Sequence, residues 1–329
     1  MTAYNSMTAE PSQKTVPRRS GRSGGTSADK KRRRAALYPR WVPYVTAAPA
    51  LLLFVGVVGY PFVQSLVYGF QRRSLLNGVA TFIGFDNISR LLSQQMFWNV
   101  VWQTIVFVGC SSGGAFLLAL FLALALNTRM RGRGILRTAF LFPWILPGVV
   151  VSFLWSWIFD AHYGILNGLI DIVSGGASQG LNWLGTPGVA MMAIIVARAW
   201  NTFGWIMILI LAALQGIPSE THDAAAVDGA YGLKKQLFVI LPQIRPALVL
   251  ALLLEIIHGF QQFDIPWVMT SGGPIGSTTT LSVDLYKAAF TNYDLGSAGA
   301  IGIAWTVIMA IIVVIFMIYT MHQEKGAKR

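Results

Sequence analysis

The 329-residue chain predicts an all-α integral membrane protein with six transmembrane helices and both termini in the cytoplasm. Three observations carry that prediction. Hydrophobic residues make up 54% of the chain and charged residues only 12%, with a mean hydropathy of +0.57. Soluble domains are usually about 25% charged. Six apolar stretches each reach the roughly 20 residues that a helix needs to cross a bilayer. The basic residues, finally, collect on one side of those stretches. This composition excludes a disordered chain and argues against a soluble globular enzyme.

Residues 1–41 hold ten of the 25 Lys and Arg residues, many Ser, Gly and Thr, and few large aliphatics. Such a segment cannot bury enough apolar surface to fold, so a disordered basic tail is expected. The run Asp29-Lys30-Lys31-Arg32-Arg33-Arg34 resembles a nucleic-acid patch. A topogenic tail in front of a membrane span fits the following residues better, and no nucleic-acid partner is expected. The tail can also attract anionic membrane lipid, at about 1 kcal/mol per basic residue near the surface.

The membrane domain is placed at 42–322, with 323–329 as a short cytoplasmic tail. Val42 to Phe70 carries no charge over 29 residues. It is too long for a signal-peptide core and no small-residue cleavage site follows, so an uncleaved first span is read at about 43–69. Pro61 is expected to bend or end it. Further spans are read at about 98–126, 138–159, 189–214, 246–269 and 298–320. Arg198 interrupts the fourth, and Glu255, His258 and Asp264 interrupt the fifth. Trp183 and Trp267 sit where membrane-interface anchors are expected.

Orientation follows from charge. With the N-terminus inside, the segments 1–41, 127–137, 215–246 and 321–329 face the cytoplasm and hold 20 of the 25 basic residues. The outside segments hold only Arg72, Arg73, Arg90 and Lys287, and Arg198 is intramembrane. This is a strong positive-inside asymmetry. It explains the net charge of +12 without nucleic acid. The single cysteine, Cys110, excludes an internal disulfide framework and a Cys-based zinc cluster. It lies in an apolar run and is expected to be a small buried hydrophobe.

The loop between spans four and five is about 30 residues long, rich in small residues and helical in character. Ser219 is expected to cap a first helix, with Glu220 and Asp223 near its positive end. Ala224, Ala225 and Ala226 favour helix. Gly229 can adopt the left-handed conformation that ends it. A second helix is expected from about Tyr231 to Leu241, stopped by Pro242. Small side chains would let another surface approach closely.

This loop resembles that of the membrane permeases of binding-protein-dependent ABC importers. Their pattern is Glu-Ala-Ala, two residues, Asp-Gly-Ala, then Phe, Ile and Leu-Pro at set spacings. The chain has Asp223-Ala224-Ala225, then Asp228-Gly229-Ala230, then Leu241-Pro242 at the matching distance, with Gln236 and Val239 in place of Phe and Ile. The segment Phe263-Asp264, followed by Met269-Thr270-Ser271-Gly272-Gly273-Pro274, is similar to the end of the fifth span in the carbohydrate branch, maltose-type or glycerol-phosphate-type. The likeness covers about residues 40–320.

The resemblance implies a permease in the bacterial cytoplasmic membrane. Its coupling-helix loop, through Asp223, Ala224, Ala225, Asp228, Gly229, Ala230, Leu241 and Pro242, docks into a dimer of cytoplasmic ABC ATPases. Those partners bind ATP and Mg; no cofactor is expected on this chain, which has no phosphate-binding Gly-x4-Gly-Lys-Ser/Thr loop. A second, homologous permease subunit forming a heterodimer and an extracytoplasmic solute-binding protein complete the expected assembly. Alternating access then moves a sugar across.

Polar groups inside spans are costly and point to a pathway. Asn201, Glu255, His258, Gln261, Gln262 and Asp264 are the candidates, with Trp200 and Trp205 nearby. Gln261 and Asp264 are three apart and would share a helix face. Glu255 could pair with His258 or with Arg198. The same groups could instead be interhelical polar glue. An alternative function is a stand-alone secondary transporter or channel that uses Glu255, His258 and Asp264 for ion coupling. No internal repeat supports it. No metal site is expected, and no catalytic cluster argues for a membrane enzyme.

Overall fold

A computed structural model describes residues 41–128, 130–175 and 180–327. The predicted N-terminal tail and the last two residues lie outside them. The chain divides into two units, residues 1–61 and 62–329. In the first, helix α1 (Val42–Tyr68, ending in the second unit) begins with a proline in its first turn and exposes nearly all its apolar side chains.

The second unit continues with a short hairpin, β1 (Gln71–Arg73) and β2 (Ala80–Phe82), paired antiparallel with Arg72 opposite Thr81. Helices α2 (Asp86–Ser93), α3 (Gln95–Leu126), α4 (Arg133–Ile145), α5 (Gly148–Ile158), α6 (Ile165–Ser174) and α7 (Val189–Gln215) follow. Then come α8 (Ser219–Val227), α9 (Gly232–Gln261), α10 (Asp264–Thr270), α11 (Leu281–Tyr286) and α12 (Leu295–Ala327). The hairpin departs from the all-α expectation. Its two strands lie in a predicted outside loop, where alternation within three-residue strands is too short to read.

Among the described residues, α1, α3, α7, α9 and α12 are long and apolar enough to cross a membrane. The third predicted span is instead two helices, α4 and α5, meeting at 96°. Leu146 is extended and Pro147 precedes the first residue of α5. A residue before proline is driven out of the helical region, so the turn falls there. Only if this bent pair crosses as a unit do six spans result. The fifth predicted span is also divided: α9 ends at Gln261, Gln262 is extended, and α10 starts at Asp264. Helix α12 runs past the predicted end of the sixth span.

Prolines do not end α1 or α9. In each, a π turn comes just before the proline: Val55–Gly59 before Pro61, and Gln236–Ile240 before Pro242. The Tyr60 N–H bonds the Val55 carbonyl, and the Leu241 N–H bonds that of Gln236, both five residues back. The extra residue relieves the clash of the proline ring with the preceding turn. The expected stop at Pro242 is therefore replaced by a continuous helix.

The core is built on α3 and α7. Ser111, Ala115, Ala119 and Ala123 recur every four residues and are fully buried, forming a small-residue stripe along α3. Phe203, Ile206, Met207, Ile210 and Leu214 of α7 pack over it, joined by Ile240, Ile244 and Ala251 of α9. Small residues let membrane helices approach closely. Cys110 faces away from this stripe and is exposed, contrary to the burial expected of it. A second cluster joins Phe107 and Val108 to Ile194 and Ala197 of α7, Phe260, Ile265 and Met269. Trp183 packs on Phe159 and donates to Asn167 Oδ1 at 2.8 Å. Trp267 stacks with Phe263 and Tyr286.

Gly204 marks the contact of α7 with α4: a methyl group there would run into the Phe140 carbonyl and the Leu141 backbone. Gly204→Ala is expected to lower stability by about 1–3 kcal/mol, since backbone cannot yield as a side chain can. Thermal unfolding of the detergent-purified protein measures it.

Candidate functional site

Two regions collect the candidate residues. The first is the loop after α7. Helix α8 has no side-chain cap; Ser219 is its first residue rather than its cap, and Glu220 is its acidic first-turn residue. At its other end Gly229 has φ +73°. The Ala230 N–H bonds the Ala225 carbonyl at 2.8 Å and the Gly229 N–H bonds that of Ala226 at 3.1 Å. This is the Schellman arrangement, and it turns the chain away from the helix through a left-handed residue. Tyr231 Oη adds a bond to the Ala226 carbonyl at 3.0 Å, and Lys235 Nζ reaches the His222 carbonyl at 3.3 Å.

Asp223, Ala224, Asp228 and Gly229 are exposed, while Ala225 is buried. Leu241 and Pro242 lie within α9, behind the π turn. Val227 and Leu233 are 87% and 78% exposed, and Leu237 and Phe238 also project outward. A braced loop thus presents apolar and small side chains in one short stretch. Apolar side chains gathered outside a core mark contact with another surface.

The second region is a cavity of about 330 Å³ beside the middle of α7. Trp144, Asn201, Thr202, Trp205, His258, Gln261, Gln262, Phe263 and Asp264 line it. Five of the six predicted pathway residues are therefore together on one wall. The break between α9 and α10 makes this possible. Gln261 closes one helix and Asp264 opens the next, so they converge without sharing the helix face their spacing suggested. Asn201 Nδ2 donates to the Pro143 carbonyl at 2.7 Å, which fixes the amide against the α4–α5 bend. A methyl group on Gly148 would meet Asp264 Oδ2, so that carboxylate lies at the first turn of α5, where the helix dipole favours negative charge. Among the described residues, the side chains of His258, Gln261, Gln262 and Asp264 form no hydrogen bonds.

The sixth predicted residue, Glu255, is behind the wall. Its Oε1 meets Arg198 Nη2 at 2.6 Å, and both side chains are fully buried. Thr202 Oγ1 donates to Oε1 at 3.0 Å and Trp205 Nε1 to Oε2 at 3.1 Å. Arg198 Nη1 donates to Ser111 and Ser112, at 2.7 and 3.1 Å, and Nη2 to the Glu255 carbonyl at 3.1 Å. Of the two pairings open to Glu255, the structure has the one with Arg198. His258 packs against Trp205 instead, with the rings tilted by 49° and 5.2 Å between ring centres. Glu255 is thus occupied by protein partners and does not join His258 and Asp264 in an ion-coupling cluster. Among the described residues no three His, Cys, Asp or Glu side chains are grouped to hold a metal.

Sequence reasoning missed Trp144 and Thr202, and singled out Phe263 only as part of a motif, not as a cavity residue. Trp144 enters only because α4 and α5 bend apart, and the proline pair Pro143 and Pro147 was the available signal. Trp200, expected nearby, packs edge-on against Trp155 at 5.8 Å in the core.

Residues 115–329 match the family described as binding-protein-dependent transport system inner membrane component. The chain is 34% identical to the trehalose/maltose transport system permease protein MalF of Thermococcus litoralis, over 84% of this chain and 90% of that one. It is 32% identical to the sulfoquinovosyl glycerol transport system permease protein SmoG of Agrobacterium fabrum, over 80% and 89%. A chain of a bacterial ABC transporter involved in the import of the acidic polysaccharide alginate shares its fold. That match has a TM-score of 0.75 at 21% identity, over 89% of this chain and 98% of that one.

Proposed function

The chain belongs to the family of binding-protein-dependent transport system inner membrane components, and on that premise we propose that it is the permease subunit of an ATP-driven sugar importer. The membrane cavity carries the reading. It places four polar side chains with unused hydrogen-bonding capacity beside Trp144, Trp205 and Phe263, halfway along a spanning helix. Amides and a carboxylate match sugar hydroxyls, and ring faces match the apolar face of a pyranose. The names of its relatives, MalF for trehalose and maltose and SmoG for a sugar glycerol, support the same class.

In this reading both termini and the α8 loop are cytoplasmic. Asp223, Ala224, Ala225, Asp228, Gly229 and Ala230 dock into one subunit of an ATPase dimer, and the ATP and Mg are held there. Leu241 and Pro242 carry the movement into α9, whose far end bears His258 and Gln261. The link is mechanical: α8 is joined to the cavity by about 20 Å of α7, from Gln215 back to Asn201, and by about 40 Å of α9, from Gly232 to His258, at 1.5 Å per residue. A second permease subunit completes the pathway, and an extracytoplasmic binding protein delivers the sugar. Each ligand shifts the inward-open and outward-open states only by its different affinity for the two.

Uptake measured with the membrane potential collapsed and ATP kept is expected to persist; its loss would overturn the ATP-driven reading. Gln261→Ala is expected to raise the KM for uptake about 5–10-fold with ATP hydrolysis still stimulated, the effect of one lost hydrogen bond. An unchanged KM would remove Gln261 from the pathway.

A further inference from the structure

Helix α6 divides its side chains among three surroundings. Ile165, Leu169, Ile172 and Val173 recur at helical spacing, share one face and are between 54% and 88% exposed. Leu166, Asn167 and Ile170 turn toward the rest of the protein. Leu166 packs on the second core cluster, Ile170 is half-buried, and the buried Asn167 donates through Nδ2 to the Ala161 and Leu181 carbonyls, both at 3.0 Å. Asp171 and Ser174 take the remaining arc and are exposed. A surface helix in water turns its apolar stripe to the core. Here the inward face holds a bonded amide, and the stripe of large aliphatics is left uncovered.

The same helix is pinned at the end of a membrane-crossing one. Asn167 Oδ1 accepts from the Leu181 N–H at 3.3 Å and from Trp183 Nε1 at 2.8 Å, which ties α6 beside the approach to α7. A groove of about 640 Å³ extends the uncovered face onto α5, lined by Leu154, Trp157, Ile158, Tyr163 and Ile165. Asp160 also lines it, and its carboxylate accepts the His162 and Tyr163 N–H groups, each at 2.8 Å. Trp157 and Tyr163 are exposed, and such rings favour the zone between lipid and water. Residues 138–197 hold no Lys or Arg, so attraction to anionic headgroups has nothing to act on. We propose that α6 lies in the surface of the bilayer with Ile165, Leu169, Ile172 and Val173 in the lipid, held by apolar contact rather than by charge. It thereby anchors the far end of α5, whose first turn meets Asp264 at the cavity. The proposal is independent of which solute the chain carries.

Spin labels on single cysteines test this in the assembled transporter, reconstituted in phosphatidylcholine nanodiscs. Cys110 is exposed, so it is first replaced by alanine. Leu169→Cys, Ile172→Cys, Val173→Cys and Asp171→Cys are then introduced one at a time; all four positions are exposed, so none disturbs the core. Collision of each nitroxide with oxygen, which enters lipid, is compared with collision with a polar nickel chelate, which stays in water. The oxygen-to-nickel ratio at residues 169, 172 and 173 is expected to exceed that at 171 by about 10-fold or more, since leaving water is costly for a polar complex. Equal ratios at all four positions would put the stripe in water and overturn the proposal. Low collision with both reagents at 169, 172 and 173 would mean that a second subunit or another protein covers the stripe, and would overturn it too. Adding phosphatidylglycerol to the nanodiscs is expected to leave the ratios within about twofold, because no basic residue is there to respond. A larger change would overturn attachment by apolar contact alone.

Discussion

Glu255→Ala is expected to cost about 3–5 kcal/mol of stability, because it leaves the Arg198 guanidinium buried without its partner. Both side chains are fully buried, and the pair ties α3, α7 and α9 together through Ser111, Ser112, Thr202 and Trp205. Truncation removes the carboxylate from three donors at once, Arg198 Nη2, Thr202 Oγ1 and Trp205 Nε1. Thermal unfolding in detergent, followed by tryptophan fluorescence, is expected to move down by the order of 10 °C. The double replacement Arg198→Met with Glu255→Leu is expected to recover most of that loss, since removing both charges also removes the cost of burying them. A single variant as stable as the parent would mean that the pair contributes no more than an apolar contact. The double variant still lacks the acceptor for Trp205 Nε1, so its KM for uptake should stay raised after stability returns. That split separates holding the fold from orienting the cavity wall.

Gly229→Glu is expected to reduce uptake about 100-fold while ATP hydrolysis by the assembled complex continues and the protein remains inserted. The proposed docking of α8 motivates this. A side chain at Gly229 would meet nothing within 4 Å of its own chain, so no internal clash confuses the result. What it does meet is backbone strain at φ +73°, about 1–2 kcal/mol for an ordinary residue. Gly229→Asn is the control, because asparagine tolerates the left-handed region and adds no charge. It should retain most uptake. Solute-stimulated ATPase activity and uptake both normal in the glutamate variant would remove α8 from the coupling contact.

Much of this was legible in the sequence because the bilayer is a severe solvent. Low charge and long apolar runs follow from keeping backbone groups bonded and charges in water. The Gly229 turn was legible too, since few residues accept a positive φ. The locations of Asn201, His258, Gln261, Gln262 and Asp264 followed from the cost of polar groups in spans. Their grouping did not. Spacing along one helix placed Gln261 and Asp264 on a shared face, whereas the break at Gln262 and Phe263 brings them to the cavity from two helices.

Prolines show the same limit from the other direction. Pro61 and Pro242 look alike to local rules that end helices, and π turns carry α1 and α9 past both. Pro147 produces a 96° bend where a single span was expected. A proline removes one donor and one region of backbone space, and packing chooses among the ways of accommodating that loss. Glu255 was likewise open to His258, three residues away, or to Arg198 on another helix. Local spacing offers both, but only the packing of α3, α7 and α9 supplies the buried donors that make the Arg198 pairing fit. The sequence by itself determined that this chain belongs in a membrane and located its long apolar segments, because those follow from each segment's own solvation. Which polar residues line the cavity and which brace the fold was decided by tertiary structure, because that depends on neighbours distant in the chain.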